Sequence, residues 1–211
     1  MEIPDFYNEY LKSKHQTNRK LIILDLDETL ISSHDVEEKD YDFIVCGYIK
    51  VKKRPHVDEF LQGLVEMDYD IAVWTAAKHE YAVEVVASLF FNVTKPIHLQ
   101  FIFTYNKCTQ VSIDPINEFE YKVVLLKKLS KIWRHKLYKS KWNKYTTFII
   151  DDNEYTFRKN YGNAIPIPAW KNKEDQKEDQ LLRHLLPLLK IWKYHDNVRK
   201  IDKRYWYHAY D

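Results

Sequence analysis

The chain alternates short apolar runs with longer amphipathic stretches. Four runs of three or four apolar residues lie at Leu21–Leu24, 71–74, 101–103 and 148–150. Runs of this length, followed directly by polar residues, are typical of parallel strands that are buried on both faces. The pattern therefore predicts a parallel sheet at the centre of the fold.

The stretches between these runs show the 3.6-residue periodicity of helices. Pro55 suits the first turn of one helix, whose apolar stripe would consist of Phe60, Leu61, Leu64 and Val65. Similar patterns predict three further helices, over residues 80–90, 121–133 and 179–192. Pro187 should kink or restart the last of them. Strands that alternate with helices through right-handed crossovers predict an α/β fold, a Rossmann-like parallel sheet flanked by helices.

A different pattern follows the first run, between residues 32 and 53. Apolar and polar residues alternate there over short distances, which predicts a small β-hairpin beside the main sheet. With 211 residues and 45% hydrophobic content, the chain is long enough for one well-buried core and short for two. The sequence therefore predicts a single domain over residues 1–211.

Charge and cysteine content limit the partners and the cellular compartment that we expect for the protein. Lys and Arg total 33 against 31 Asp and Glu, so the overall charge gives no reason to expect a nucleic-acid or membrane partner. Residues 127–144 nevertheless carry eight Lys or Arg and no acid, which is typical of a solvated helix face or of a binding patch. Cys46 and Cys108 fit free thiols in a reducing compartment, and no apolar stretch is long enough to span a bilayer. We expect a soluble, intracellular protein, either nuclear or cytoplasmic.

Acidic side chains follow two of the predicted strands. Asp25 and Asp27 come directly after the first run, and Asp151 and Asp152 follow the fourth. Thr75, a small hydroxyl donor, follows the second. Because ligands of open α/β sheets bind beyond the carboxyl ends of the strands, we expect these side chains to share one cleft. Several carboxylates in one cleft require a divalent cation, and oxygen ligands suit Mg²⁺.

Several motifs in this order resemble a known family. Residues 25–30, Asp-Leu-Asp-Glu-Thr-Leu, are similar to the DxDxT signature of the haloacid dehalogenase (HAD) phosphatases. Further stretches resemble the small phosphatases of the RNA polymerase II C-terminal domain, the NLI-interacting-factor-like family; they are residues 53–61, the second motif at 74–77 with 81–82, and residues 150–153, 163–170 and 185–187. The resemblance covers about residues 19–193. It implies a HAD-like core, an insertion between the second and third motifs at about 92–120, and an extension over 194–211.

The resemblance assigns two roles to the first pair of acids. Asp25 would be the nucleophile that forms an aspartyl-phosphate, and Asp27 would act as general acid and then as general base. Mg²⁺ would be held by the Asp25 carboxylate, the backbone carbonyl of Asp27, and Asp151. Asp152 departs from the Asn that is common at this position, and its role as a metal ligand or as an acceptor beside the ligands stays open.

The same resemblance implies a phosphate-binding set. Thr29 and Thr75 would bind phosphoryl oxygens, and a lysine of the third motif would neutralise their charge. Lys127 aligns best with that lysine, while Lys122 and Lys128 are the other registers.

The function implied is a Mg²⁺-dependent phosphatase that removes phosphate from Ser or Thr of an extended, proline-containing phosphopeptide. A phosphatase for nucleic-acid ends or small metabolites is an alternative, because residues 127–144 are basic and residues 190–207 are both basic and aromatic. A non-catalytic scaffold with the same fold is another, although the intact acids argue against it. The sequence does not indicate an oligomeric state.

Overall fold

The computed structural model describes residues 19–34, 36–91, 96–113 and 122–209. Its ten strands are β1 (Leu21–Leu24), β2 (Ile31–Ser32), β3 (Phe43–Val45), β4 (Ile49–Lys53), β5 (Asp70–Trp74), β6 (Leu99–Phe103), β7 (Thr109–Ile113), β8 (Lys122–Leu126), β9 (Thr147–Asp151) and β10 (Ala164–Pro166). Its α-helices are α1 (Val57–Glu66), α2 (His79–Val86), α3 (Ser130–Trp133), α4 (Glu154–Phe157) and α5 (Leu181–Trp192).

A five-stranded parallel sheet of order β10-β9-β1-β5-β6 forms the centre of the fold. The apolar runs form these strands because both faces of the sheet are covered. Ile22 and Leu24 of β1 pack in one core cluster, whereas Leu21 and Ile23 pack in the other. The architecture is the predicted α/β fold, a parallel sheet flanked by helices.

Different elements cover the two faces. On the first face, α1, α2 and α5 contribute buried residues such as Phe60, Val85 and Leu185. On the second face, the shorter helices α3 and α4 and the turns between α3 and β9 supply Ile132, Phe157 and Trp142. We call the edge of the sheet at which β1, β5 and β9 end the reactive edge, because the predicted site residues lie there; it is flanked by these two differently built walls.

The predicted hairpin after the first motif is present as a small antiparallel sheet of order β2-β4-β3, which we call the flap. Val45 and Val51 of the flap are buried in the cluster on the first face. The flap therefore belongs to the same wall as α1 and α2.

The helix predicted over residues 121–133 is wrong for most of its length. Residue 121 lies outside the described residues, and Lys122–Leu126 is the strand β8, antiparallel to β7. Only Ser130–Trp133 is helical. The predicted insertion also lies partly outside the described residues, at 92–95 and 114–120. Its described part, residues 96–113, contains β6 and β7.

Two helix predictions need smaller corrections. The helix expected over residues 80–90 is α2, which continues as a π-helix over Ala87–Phe91. Of the two outcomes expected at Pro187, the restart is wrong, because α5 continues across it from Leu181 to Trp192, and the kink stays a prediction. The short strand β10 was not predicted.

Part of the C-terminal extension packs on the core. Its described residues contain two 3₁₀ helices, Val198–Lys200 and Trp206–Ala209. Val198 and Trp206 are buried in the first cluster, and the Trp206 indole donates a hydrogen bond to the Pro166 carbonyl at 2.7 Å. Cys46 and Cys108 are free thiols. None of the described helices has the length and apolar character needed to cross a membrane.

Candidate active site

Three carboxylates meet where β1 and β9 end. Leu24 pairs with Val73 of β5 and with Ile150 of β9, so the residues that follow these strands emerge at one edge of the sheet. Asp25, Asp151 and Asp152 each place a carboxylate oxygen within 4.8 Å of the others. Asp25 and Asp151 are buried, whereas Asp152 is half-buried. The strand register thus concentrates negative charge at a single point.

Lys127 brings one positive charge to these acids. Its Nζ lies 2.7 Å from Asp25 Oδ1 and donates to Asp151 Oδ2 at 2.8 Å. The side chain is fully buried. Its backbone is held as well, since the Lys127 amide donates to the Thr156 carbonyl at 2.8 Å and Asn160 Nδ2 donates to the Lys127 carbonyl. Of the three registers that the sequence allowed, the structure brings Lys127 to the acids.

The two acids that end β9 are bonded differently. Asp151 Oδ2 accepts from Lys127 and also from Thr156 Oγ1 at 2.7 Å, while Asp151 Oδ1 accepts from the Asn153 amide at 2.9 Å. Asp152 Oδ1 accepts one bond, at 3.2 Å from Thr29 Oγ1. Both oxygens of Asp151 are therefore occupied, and the Asp152 carboxylate is the more open of the two.

The charges favour a bound cation. Burial, opposed by Lys127 and reinforced by Asp151, raises the pKa of Asp25 well above its usual value. Burial and the charge of Asp151 raise the pKa of Asp152 to about 6. For Lys127, burial acts to lower the pKa, but Asp151 and Asp25 outweigh it and the pKa is raised. Burial first, and the neighbouring carboxylates second, thus raise the pKa of Asp25 and of Asp152, and a bound cation would favour their charged forms.

The donor set fits Mg²⁺. All candidate ligands are oxygens, which is the preference of this hard cation. Among the described residues, the buried Asp25 Oδ1 has Lys127 Nζ at 2.7 Å as its polar neighbour and no second hydrogen-bond donor. A buried carboxylate oxygen of this kind is costly unless another positive group reaches it.

Asp27 stands apart from this cluster and has its own partner. The Tyr81 hydroxyl on α2 donates to Asp27 Oδ1 at 2.6 Å. Burial raises the pKa of Asp27, and the hydrogen bond from Tyr81 opposes this rise. Tyr81 belongs to the second motif, but the sequence alone assigned it no role. Its position on a helix, away from the strand ends, gave no signal that it contacts Asp27.

The two threonines occupy different surroundings. Thr29 is fully buried; its hydroxyl donates to Asp152 Oδ1 and accepts from the Asp152 amide at 3.2 Å. Its hydroxyl therefore orients Asp152, and its role as a phosphate ligand stays a prediction. Thr75 is also buried, at the end of β5, and its hydroxyl accepts from the Ala77 amide at 3.0 Å. Its donor hydrogen remains available for a phosphoryl oxygen.

The fold and the grouped acids define the class: this is an α/β protein with an acidic site at the carboxyl ends of a parallel sheet. The sequence model of the family described as "NLI interacting factor-like phosphatase" matches residues 20–199. The chain belongs to this family, which confirms the resemblance of its motifs.

Individual relatives agree with this family. A Dictyostelium discoideum protein named "Probable C-terminal domain small phosphatase" is 32% identical over 177 residues, covering 81% of this chain and 49% of that protein. The Xenopus laevis protein "CTD nuclear envelope phosphatase 1" is 30% identical over 204 residues, covering 90% of this chain and 73% of that protein. The chain thus spans about half the length of the Dictyostelium relative.

One solved structure shows the fold alone. The chain is similar to an uncharacterized protein from Listeria monocytogenes serotype 4b, with a TM-score of 0.50 and 14% identity, covering 86% of this chain and 99% of the other. Likeness at this level carries no information on activity.

Proposed function

We propose that the protein is a Mg²⁺-dependent phosphatase that removes phosphate from Ser or Thr of a phosphoprotein through an aspartyl-phosphate on Asp25. The observation that carries this proposal is the meeting of Asp25, Asp151 and Asp152 within 4.8 Å, with Lys127 beside Asp25 and Asp151. A purely structural site would gain nothing from burying this excess of negative charge. A site that binds a cation and a phosphate needs such an arrangement.

In the proposed reaction, a carboxylate oxygen of Asp25 attacks the phosphorus. The bond from phosphorus to the substrate oxygen breaks, and Asp27 donates a proton to that oxygen. Asp27 then accepts a proton from the water molecule that attacks the aspartyl-phosphate. This second step releases inorganic phosphate and restores both side chains.

The surrounding residues would bind the phosphate and Mg²⁺ and hold the reacting groups in position. Lys127 offsets the charge of Asp25 and of the incoming phosphate, and the Thr75 hydroxyl donates to a phosphoryl oxygen. Asp25, Asp152 and the Asp27 carbonyl would hold Mg²⁺, whose charge offsets that of the carboxylates and the phosphate. Asp151, whose oxygens are both engaged, would hold Lys127 in place. This assignment differs from the sequence-based expectation, in which Asp151 was the ligand.

The proposed Ser/Thr preference follows from the names of the relatives. The Dictyostelium and Xenopus proteins are named as C-terminal-domain phosphatases. We therefore propose an extended phosphoprotein segment as the substrate. A nucleic-acid end stays the alternative, to be separated by experiment.

The decisive experiment measures phosphate release from an aryl phosphate with Mg²⁺ or with EDTA. We expect turnover that requires Mg²⁺ and falls by at least about a thousand-fold in Asp25→Asn, because the amide is not a nucleophile. Asp175→Asn removes an exposed acid and is the matched control. If the native protein releases no phosphate with Mg²⁺, the non-catalytic scaffold becomes the better interpretation.

A phosphothreonine peptide and a terminally phosphorylated oligonucleotide then separate the substrate classes. We expect a higher kcat/KM for the peptide at physiological salt. The peptide proposal fails if the oligonucleotide is the better substrate and its KM rises steeply with ionic strength.

A further inference from the structure

The two walls beside the reactive edge differ in how their lysines are neutralised. On the first wall, the flap strand β4 carries three lysines, each paired with an acid. Lys50 lies 3.0 Å from Glu38, Lys52 lies 2.6 Å from Asp40, and Lys53 lies 2.9 Å from Asp58. These three flap lysines therefore offer little uncompensated positive charge to a ligand.

The second wall carries two lysines that we call the basic rim, Lys107 and Lys131. Lys107 ends the 3₁₀ helix Tyr105–Lys107, and Lys131 lies on α3. The wall is defined by packing, because Phe103, Cys108 and Ile132 belong to the core cluster on the face opposite the flap. Both rim lysines are exposed.

The rim lysines are fixed by neutral groups. Lys131 Nζ donates to the Lys107 carbonyl at 2.6 Å and lies 3.4 Å from the Cys108 carbonyl. Lys107 Nζ lies 5.8 Å from the centre of the Phe103 ring. Across the part of the chain that the structure describes, neither ammonium has an acidic partner within 4.0 Å. Their charge is therefore available to a ligand.

The basic rim borders the reactive edge. The Cys108 thiol lies 3.9 Å from the Thr75 carbonyl, so the loop that Lys131 holds contacts the end of β5. Lys141 does not continue this charge along the edge. Trp142, beside Lys141, donates to Asp70 at 2.9 Å, and Asp70 begins β5 at the opposite end of the sheet.

We propose that the basic rim binds acidic side chains of the phosphoprotein beside the residue that loses its phosphate. This proposal rests on the proposed function and adds a substrate preference to it. Two exposed ammonium groups at one side of the edge suit a few nearby carboxylates. A nucleic-acid strand would need a row of cations that track its backbone, whereas the basic rim consists of two lysines that are joined by one hydrogen bond.

The test compares two phosphothreonine peptides that differ only in their flanking residues, Asp in one and Asn in the other. For the native protein, we expect kcat/KM to be about five-fold higher with the Asp peptide, as two exposed ion pairs would give. The ratio should fall toward one as salt rises from about 0.05 to about 0.5 M, because screening weakens exposed pairs.

Two double variants test which lysines cause the higher kcat/KM with the Asp peptide. Lys107→Gln with Lys131→Met removes the basic rim and should bring the peptide ratio to about one. Lys141→Gln with Lys144→Gln removes the same charge at the opposite end of the sheet and should leave the ratio unchanged. The Asn peptide is the internal reference for any general loss of activity, and thermal melting checks that each variant is folded.

The outcomes distinguish a failure of the basic-rim proposal from a failure of the proposed function. Equal kcat/KM for both peptides in the native protein, or an equal loss in the two double variants, overturns the basic rim while leaving the phosphatase intact. A preference for the phosphorylated oligonucleotide over the Asp peptide overturns it as well. If no aryl phosphate is hydrolysed with Mg²⁺, the proposed function itself has failed.

Discussion

At the residue scale, the hydrogen bond from Tyr81 to Asp27 holds the proposed acid and base in one orientation. Tyr81→Phe keeps the ring and removes this bond of 2.6 Å, together with the hydrogen bond between the Tyr81 hydroxyl and Ser33. We expect kcat on a phosphothreonine peptide to fall about ten-fold with little change in KM, since a hydrogen bond to a charged group contributes about 1.5 kcal/mol or more.

The same variant should lose less activity on an aryl phosphate, whose leaving oxygen needs little protonation. Steady-state kinetics on both substrates measures the difference. Tyr161→Phe alters an exposed ring and is the matched control. An equal loss on both substrates would show that Tyr81 does more than orient Asp27.

Asp152 provides a second prediction at this scale, because its carboxylate is the more open of the two that end β9. Asp152→Asn keeps an oxygen that can accept from Thr29 and removes one negative charge. We expect the protein to stay active, with the Mg²⁺ concentration for half-maximal activity raised about ten-fold, since affinity follows the ligand charge.

A Mg²⁺ titration of aryl phosphate hydrolysis measures this shift, with Asp175→Asn as the control for loss of a surface charge. An unchanged Mg²⁺ requirement would argue that Asp152 lies outside the metal site. Asp151 would then be the ligand, as the sequence alone suggested.

The predicted and unpredicted site residues differ in where they lie on the chain. Asp25, Thr75 and Asp151 directly follow buried strands, so the α/β pattern was enough to group them. Tyr81 and Thr156 lie on helices and reach the site only through tertiary packing. The open position of Asp152 depends on the bonds made by Asp151, which no local pattern reveals.

At the element scale, β8 shows why hydrophobic periodicity predicted a helix where the structure has a strand. Val124 and Leu126 are buried while Val123 is 58% exposed, which is the alternation of a strand. Over five residues this alternation is hard to distinguish from one helical turn. The pairing with β7 decides the conformation, and this partner lies in the segment that sequence analysis treated as an insertion. The β7–β8 hairpin leads directly to Lys127, so the error concerned an element that builds the site.

Arg54 joins two segments that are distant in the chain, and the prediction at the element scale is the effect of substituting it. It forms a two-point contact with Asp179, at 3.1 and 2.8 Å, just before α5, and donates to the Thr29 carbonyl at 3.1 Å. Arg54→Met should lower the free energy of unfolding by about 3 kcal/mol, because it leaves a mostly buried carboxylate without its partner.

Urea unfolding measures this loss. Lys53→Met is a matched control, since Lys53 pairs with the exposed Asp58 and should cost no more than about 1 kcal/mol. Arg54→Lys keeps the charge without the two-point contact and should lie between them. Equal stability of the two Met variants would show that Arg54 contributes no more than a surface lysine.

At the scale of the whole molecule, the C-terminal extension completes the first face of the core. Trp206 reaches Pro166 beside the last strand of the sheet, and the Val198 amide donates to the Tyr145 carbonyl at 3.0 Å. Lys203 is buried in this extension, where its Nζ donates to the Val198 and Ile201 carbonyls at 2.6 and 2.8 Å. The extension therefore places a cation inside the fold.

This buried cation makes the stability depend on pH. Burial, partly offset by Asp202 and assisted by Arg199, lowers the pKa of Lys203 from 10.5 to about 8. Below pH 8 both the folded and the unfolded states carry the proton, so the cost of burying the charge is present in full. Between pH 8 and 10.5 only the unfolded state keeps the proton, and stability therefore rises with pH.

The variant Lys203→Met has no ammonium group at this position. Comparing it with the native protein therefore separates the effect of Lys203 on stability from the titration of all other groups. We expect the free energy of unfolding of the native protein, measured relative to Lys203→Met in urea, to increase by about 2 kcal/mol between pH 7 and pH 10. A constant difference across this range would mean that Lys203 keeps its usual pKa in the fold. The two carbonyls would then compensate fully for burial of the ammonium group.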